Sequence, residues 1–337
     1  MSATRSALES KTVRGSQARL QLVLLYRMRP PDRSWLQERL DGCYDIIDPG
    51  GYDDDSLAAV IKEADVAVGG TMAPKVLANA RRLRYLQTPG TGVERLDLAA
   101  LAARGVTVCK STSHAPQVAE HAVALLLALM RKVALHDRLL RQSVWYRPQG
   151  GEDDELYQTD ALSGSTIGLV GYGSINRTVA KMLAGFEVKF LLHARSAHPG
   201  METVSLPRMF GEAKAVVIAV PLTDRTRGMI GEGVLEAGKP GPYLVNVGRA
   251  EVIDRAALVD ALSRRTIRGA ALDVPYSGLD APDGLAEFAR MDNALVSPHR
   301  AGTVRGHSPN LVDVAENLIA FAKGLPLKNR VDSQAGY

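Results

Sequence analysis

The sequence predicts an α/β protein with two doubly wound parallel-sheet domains, and three observations carry that prediction. Apolar runs of strand length alternate with stretches of helical spacing along nearly the whole chain, the pattern of parallel sheets built from strand–helix–strand units. One such unit, Thr166–Ala180, joins an apolar run to a helical stretch through the turn Gly171-Tyr-Gly173-Ser-Ile-Asn176. A length of 337 residues is enough for two domains, each with its own core.

The bulk numbers narrow the class. A hydrophobic content of 46% and a charged content of 23% are those of a soluble globular protein. The net charge of +4 is small for this length and the cations are scattered, so neither a nucleic-acid nor a membrane partner is implied. Cys43 and Cys109 lie far apart with no metal-ligand spacing, which fits two structural thiols in a reducing, cytoplasmic compartment and no metal site. The longest apolar run, Ala122–Met130, is too short to span a bilayer. Residues 1–19 are rich in Ser, Thr and Arg without an apolar centre, and read as a mobile tail and not a signal peptide.

The elements follow in order. Leu20–Tyr26 is a strand, and after two adjacent prolines a helix is expected over Trp35–Leu40. Tyr44–Ile47 and Val66–Val68 are strands flanking a helix, Ser56–Ala64, with Ser56 as its N-cap. Pro74–Ala80 reads as helix, Leu83–Thr88 as strand, Asp97–Arg104 as helix and Val106–Cys109 as strand. Val118–Leu140 keeps helical spacing throughout and reads as one long helix. After an acidic, glycine-containing loop over Gln149–Asp160, the second unit begins with the strand Ile167–Val170 and a helix over Val179–Phe186. Its later strands are Lys189–His193, Ala215–Val220, Tyr243–Val247 and Gly269–Val274.

The turn after Val170 has the chemistry of a dinucleotide site. Gly171 permits the tight turn and Gly173 lets the backbone approach a pyrophosphate; the helix that follows offers that anion its N-terminal N–H groups, and Ser174, Ile175 and Asn176 of the turn are expected among the cofactor contacts. Asn176 stands where the G-x-G-x-x-G fingerprint has its third glycine.

These residues resemble the D-isomer-specific 2-hydroxyacid dehydrogenase family, in its glyoxylate/hydroxypyruvate reductase-like branch. Seven stations occur in order: Gly90-Thr-Gly-Val-Glu-Arg-Leu-Asp97, Val118-Ala-Glu-His121, Leu162–Gly168 leading into the glycine turn, and Val220-Pro-Leu-Thr-Asp-Arg-Thr-Arg-Gly228. Lys239-Pro-Gly241 with Asn246-Val-Gly-Arg249, Ala271-Leu-Asp-Val274, and Ser297-Pro-His299-Arg-Ala-Gly302-Thr303 complete the set. The resemblance implies a Rossmann cofactor domain, residues 118–300, inserted into a flavodoxin-like substrate domain made of 20–117 and 301–337. It also implies a homodimer through the long helix, NADP or NAD as cofactor, and a small 2-keto or 2-hydroxy acid as substrate.

The site residues follow from the matched positions. Arg249 is the anchor for the substrate carboxylate and carbonyl, a fork that Lys cannot copy. His299 is the acid/base, since an imidazole near neutral pH can give and recover a proton. The N–H groups of Thr91 and Gly92 are expected to meet the carboxylate. Val220 and Pro221 would lie against the nicotinamide, and Asp273 joins the cofactor residues. His121 reads as helix packing, and His114 as a loop histidine of open role.

Three departures from the family pattern bear on function. Where the family places a glutamate to orient the histidine, this chain has Gly278; Asp280 could reach back, another group could hold the ring, or the reaction could be slower or different. At the end of the second cofactor-domain strand, Ala194-Arg195-Ser196 replaces the acidic residue that bonds an NAD ribose, which predicts NADP preference with Arg195 and Ser196 on the 2′-phosphate. Arg300 after the histidine adds a second cation at the cleft mouth. The resulting expectation is an NADPH-dependent reductase of 2-keto acids. The alternative is a dinucleotide-binding sensor, or a reductase of an unusual ketone or imine.

Overall fold

The computed structural model describes residues 19–40, 42–143, 158–238, 240–274, 276 and 283–337, with the side chains of 283–285 left aside. The expected mobile tail, Gly278 and Asp280 therefore lie outside the described residues.

The described chain builds two all-parallel sheets. The first has strands β1 (Leu20–Leu24), β2 (Tyr44–Ile47), β3 (Val66–Val68), β4 (Tyr85–Gln87) and β5 (Thr107–Cys109) in the order β2-β1-β3-β4-β5. The second has β6 (Thr166–Val170), β7 (Lys189–His193), β8 (Glu202–Thr203), β9 (Ala215–Ile218), β10 (Gly241–Asn246), β11 (Ile267–Leu272) and β12 (Ala294–Val296) in the order β12-β11-β10-β9-β6-β7-β8. In both, the order reverses beside the first strand, which opens a crevice at the strand carboxyl ends. Strands buried on both faces need near-continuous apolar runs, and β3 (V-A-V) and β9 (A-V-V-I) are buried at every residue.

Each sheet carries a packed layer on each face. The first is filled by Val23, Ile61, Ala67 and Leu86 on one side, and by Leu22, Leu36, Val66 and Leu318 on the other. Leu318 belongs to the helix Leu311–Ala322, so a segment distant in sequence closes the first sheet. The helix Ala115–Met130 follows β5 yet packs on the second sheet, through Ala119, Ala122 and Leu126 against Leu169, Val217 and Val245.

Several sequence expectations are corrected. The long helix over Val118–Leu140 is two helices, Ala115–Met130 and Val133–Arg141, because Lys132 takes a left-handed conformation (φ 52°) that ends the first and starts the second. Periodicity runs through this break unaltered, so the apolar pattern did not reveal it. The N-cap of the helix Asp54–Ile61 is Asp53, whose carboxylate accepts from Asp55 and Ser56 N–H; Ser56 lies inside the first turn. The helix after the glycine turn begins at Ser174, five residues before the expected start, and ends at Leu183. The short strands β8 and β12 were not anticipated.

Candidate active site

At the glycine turn the site is made of main chain. Gly171 has φ 82°, and a Cβ there would lie 2.6 Å from Val220 Cγ1 and 3.0 Å from the Ala219 carbonyl, so glycine is required. Gly173 is the N-cap of the helix Ser174–Leu183; it has no capping side chain and faces open space. The first N–H groups of this ten-residue helix are therefore directed at an unobstructed approach, which fits a dinucleotide pyrophosphate.

Asn176, expected among the cofactor contacts, is fully buried. Its amide donates to the carbonyls of Val170 (3.0 Å) and Gly171 (2.8 Å), so its side chain braces the turn from within and does not reach a ligand. Ser174 and Ile175 lie half-buried on the helix's first turn, Val220 half-buried and Pro221 exposed beyond β9. Arg195 and Ser196, after β7, are exposed, and the Arg195 guanidinium lies 4.6 Å from the centre of the Tyr337 ring.

Across the crevice the site is made of side chains. Arg249, just after β10, donates from Nε to Glu94 Oε1 at 2.6 Å and from Nη1 to the Gly248 carbonyl at 2.8 Å. Asn246 fixes this turn by donating to the Arg249 carbonyl and accepting from Gly248 N–H. Arg249 comes from the second sheet and Glu94 from the loop after β4, so the pair joins the two sheets. A Cβ at Gly92 would run into Arg249 Nη2, so this glycine lets the loop lie against the guanidinium. Among the described residues, the N–H groups of Thr91 and Gly92 donate to no acceptor. Burial would push the Glu94 carboxyl up, but the charge and hydrogen bond of Arg249 hold it below the usual range.

His299 sits in a left-handed turn (φ 54°), rare for a side-chain-bearing residue and stable only when its surroundings hold it. Asp273 supplies that hold. Its carboxylate, 1% exposed, accepts from Ser297 Oγ at 2.5 Å, Arg300 N–H at 2.9 Å and Ala301 N–H at 3.1 Å, which grips the turn on both sides of the histidine. With its O–H donated to Asp273, the Ser297 oxygen is left to accept from His121 Nε2 at 3.0 Å, so His121 ties the turn to the helix Ala115–Met130 and is more than packing. The His299 imidazole is lowered from its usual 6.5, first by its partial removal from water, with Asp273 opposing and Arg249 adding to the effect.

His114 lies opposite, its Nε2 3.5 Å from Thr91 Oγ1 and its Nδ1 buried without a partner. Burial pushes it down to about 4, so it is neutral at physiological pH and cannot serve as a proton donor there. Beside the loop that carries Glu94, a cavity of about 340 Å³ opens at the carboxyl ends of β1 and β3. Leu25, Met72, Pro74 and Val76 give it an apolar lining, with Tyr52 and Arg95 among its polar walls. The contact of Glu94 with Arg249 and the grip of Asp273 and Ser297 on the His299 turn were not foreseen, although all three residues stand in the matched family stations.

A glycine-turn cradle on one parallel sheet, facing an Arg–His cleft completed by a second sheet, defines a two-domain dinucleotide-binding α/β protein. The chain belongs to the D-isomer specific 2-hydroxyacid dehydrogenase family, whose NAD-binding domain matches residues 123–301. It is 34% identical over 279 residues to a D-3-phosphoglycerate dehydrogenase of Mycobacterium tuberculosis, covering 80% of this chain and 51% of that one. The chain thus spans about half the length of the D-3-phosphoglycerate dehydrogenases it matches. It is 32% identical over 262 residues to a glyoxylate reductase of Thermococcus litoralis, covering 74% of this chain and 77% of the relative. Among solved structures, the NADPH-dependent glyoxylate/hydroxypyruvate reductase from Sinorhizobium meliloti in complex with citrate superposes with a TM-score of 0.80 at 27% identity, covering 94% of this chain and 98% of the other.

Proposed function

We propose that the protein is an NADPH-preferring oxidoreductase that interconverts 2-keto acids and D-2-hydroxy acids. The observation that carries this reading is the Arg249 fork beside two unengaged N–H groups, those of Thr91 and Gly92. A 2-keto acid presents a carboxylate next to a carbonyl oxygen. The N–H pair suits the carboxylate, and the free edge of Arg249 can span both groups while Glu94 holds Nε and fixes the plane of the guanidinium. The bound nicotinamide supplies or takes the hydride. In reduction, His299 delivers a proton to the oxygen as it gains negative charge; in oxidation the neutral ring takes it back.

The place of the family's glutamate lies outside the described residues. The grip of Asp273 on the His299 turn supports the reading that main-chain restraint does the orienting here. Preference for NADPH is supported by Arg195 and Ser196 after β7 and by the lack of a carboxylate in Ala194-Arg195-Ser196. The cavity at the carboxyl ends of β1 and β3 offers room for the substrate side chain. A cytoplasmic location is supported by two free thiols, and a homodimer by Val133 and Leu140, apolar residues 57% and 50% exposed on the helix Val133–Arg141.

A panel of glyoxylate, hydroxypyruvate, pyruvate and longer 2-keto acids, each run with NADPH and NADH, tests the proposal. Steady turnover, faster with NADPH, is expected. Tight cofactor binding with no turnover across the panel would replace the enzyme with a nucleotide sensor.

A further inference from the structure

Beyond β7 the cleft gathers positive charge from both sheets. The Arg195 guanidinium lies 4.6 Å from the centre of the Tyr337 ring, and Lys110 Nζ, from the residue after β5, lies 5.1 Å from the same centre. Among the described residues neither cation has a carboxylate partner. Lys110 is half-buried, and its ammonium is lowered first by loss of water and then by the charge of Arg195. The Tyr337 hydroxyl is itself buried without a hydrogen-bond partner. Each cation is attracted to the Tyr337 ring, and two like charges that share one ring, one of them partly desolvated, gain further from an anion within reach of both.

We propose that Lys110 and Arg195, one from each sheet, form a clamp for a phosphomonoester, the 2′-phosphate of the dinucleotide. The inference rests on the NADPH reading and extends it. Arg195 supplies a planar fork and Lys110 a compact point charge, so the phosphate is read from two directions. Because the cations come from different sheets, the same phosphate draws the first sheet onto the second, and a cofactor with a bare 2′-hydroxyl gives no such pull. Lys110 is thereby a specificity-determining residue contributed by the sheet that does not carry the glycine turn.

Calorimetric titration of the full chain with 2′,5′-ADP and with 5′-AMP separates the possibilities without relying on catalysis. The natural protein is expected to bind 2′,5′-ADP at least about tenfold more tightly than 5′-AMP, the worth of one charge-assisted contact. Lys110→Met, which keeps the side-chain stem and removes the charge, is expected to lose about tenfold for 2′,5′-ADP and nothing for 5′-AMP. Lys110→Arg should restore most of the loss. If Lys110→Met binds 2′,5′-ADP like the natural protein while Arg195→Leu does not, the phosphate is read by the second sheet alone and the clamp is wrong. Natural protein that binds both probes equally overturns the NADPH reading together with the clamp.

Discussion

The two walls of the cleft recognise their ligands with different material. After β6 the cradle is backbone: a glycine with φ 82°, a second glycine facing open space, and the bare N-terminus of a helix, braced from behind by Asn176. Around Arg249 and His299 the site is side chain held by side chain, with Glu94 on the guanidinium and Asp273, Ser297 and His121 on the histidine turn. A backbone site depends on where a Cβ is absent and tolerates change in the side chains around it. A side-chain site depends on every partner, and exchanging one partner moves the others.

That contrast makes predictions, of which the largest concern the side-chain wall. His299→Gln is expected to lower kcat/KM for ketoacid reduction by about 100-fold to 10,000-fold, the range for losing a positioned proton donor. Full retention of activity would remove His299 from the chemistry. Arg249→Lys keeps the charge and loses the fork, and a fall of roughly 100-fold in kcat/KM is expected, with a raised KM for the keto acid. On the backbone wall, Gly171→Ala should raise the KM for NADPH and destabilise the fold by about 1–3 kcal/mol, since it forces a Cβ into Val220 at a positive φ. Ser174→Ala, which leaves the main chain intact, should change that KM by less than about twofold; a large effect would show that the cradle also uses side chains.

Smaller effects probe how the histidine is held. Ser297→Ala removes one of the three bonds to Asp273 and should lower kcat about tenfold while leaving the ketoacid KM unchanged, as expected if the loss is in orientation. His114 contributes through stability. Its pKa is about 4 in the folded chain and near 6.5 unfolded, so the unfolded state binds more protons between those values. Stability is therefore expected to fall as pH drops from 6.5 towards 4, and thermal melts of His114→Asn should show a shallower decline over that window.

The sequence carried most of what depends on chain pattern. Ten of the strands could be placed because buried parallel strands demand apolar runs, and the cradle was legible because glycines at fixed spacing have few other uses. The two-residue strand β8 (Glu202–Thr203) lacks such a run, and β12, a three-residue Ala-Leu-Val run that is only half-buried, was missed as well. The break at Lys132 was hidden because a single left-handed residue leaves the spacing of Leu and Ala on either side intact. Every member of the side-chain wall stood in a family motif, Glu94, His121, Asp273 and Ser297 as well as Arg249 and His299, but which of them meet is set by tertiary contacts. Glu94 lies 155 positions from Arg249, and His121 lies 176 from Ser297, distances at which residue spacing carries no information.

His299 acts as the proton donor with no carboxylate among the described residues lifting its pKa above the usual 6.5, because burial outweighs Asp273, and the Asp273 grip on its turn holds it in place. The pH dependence of kcat/KM for reduction of a 2-keto acid by NADPH, measured for the natural protein and for His299→Gln, tests it most directly. Reduction needs the protonated ring, and that ring's pKa lies below the usual 6.5. The rate is expected to fall as pH rises through an apparent pKa under 6.5, and the variant should lose this limb. An apparent pKa above 6.5 would show a charged partner raising the histidine, and a profile unchanged in His299→Gln would place the proton donor elsewhere.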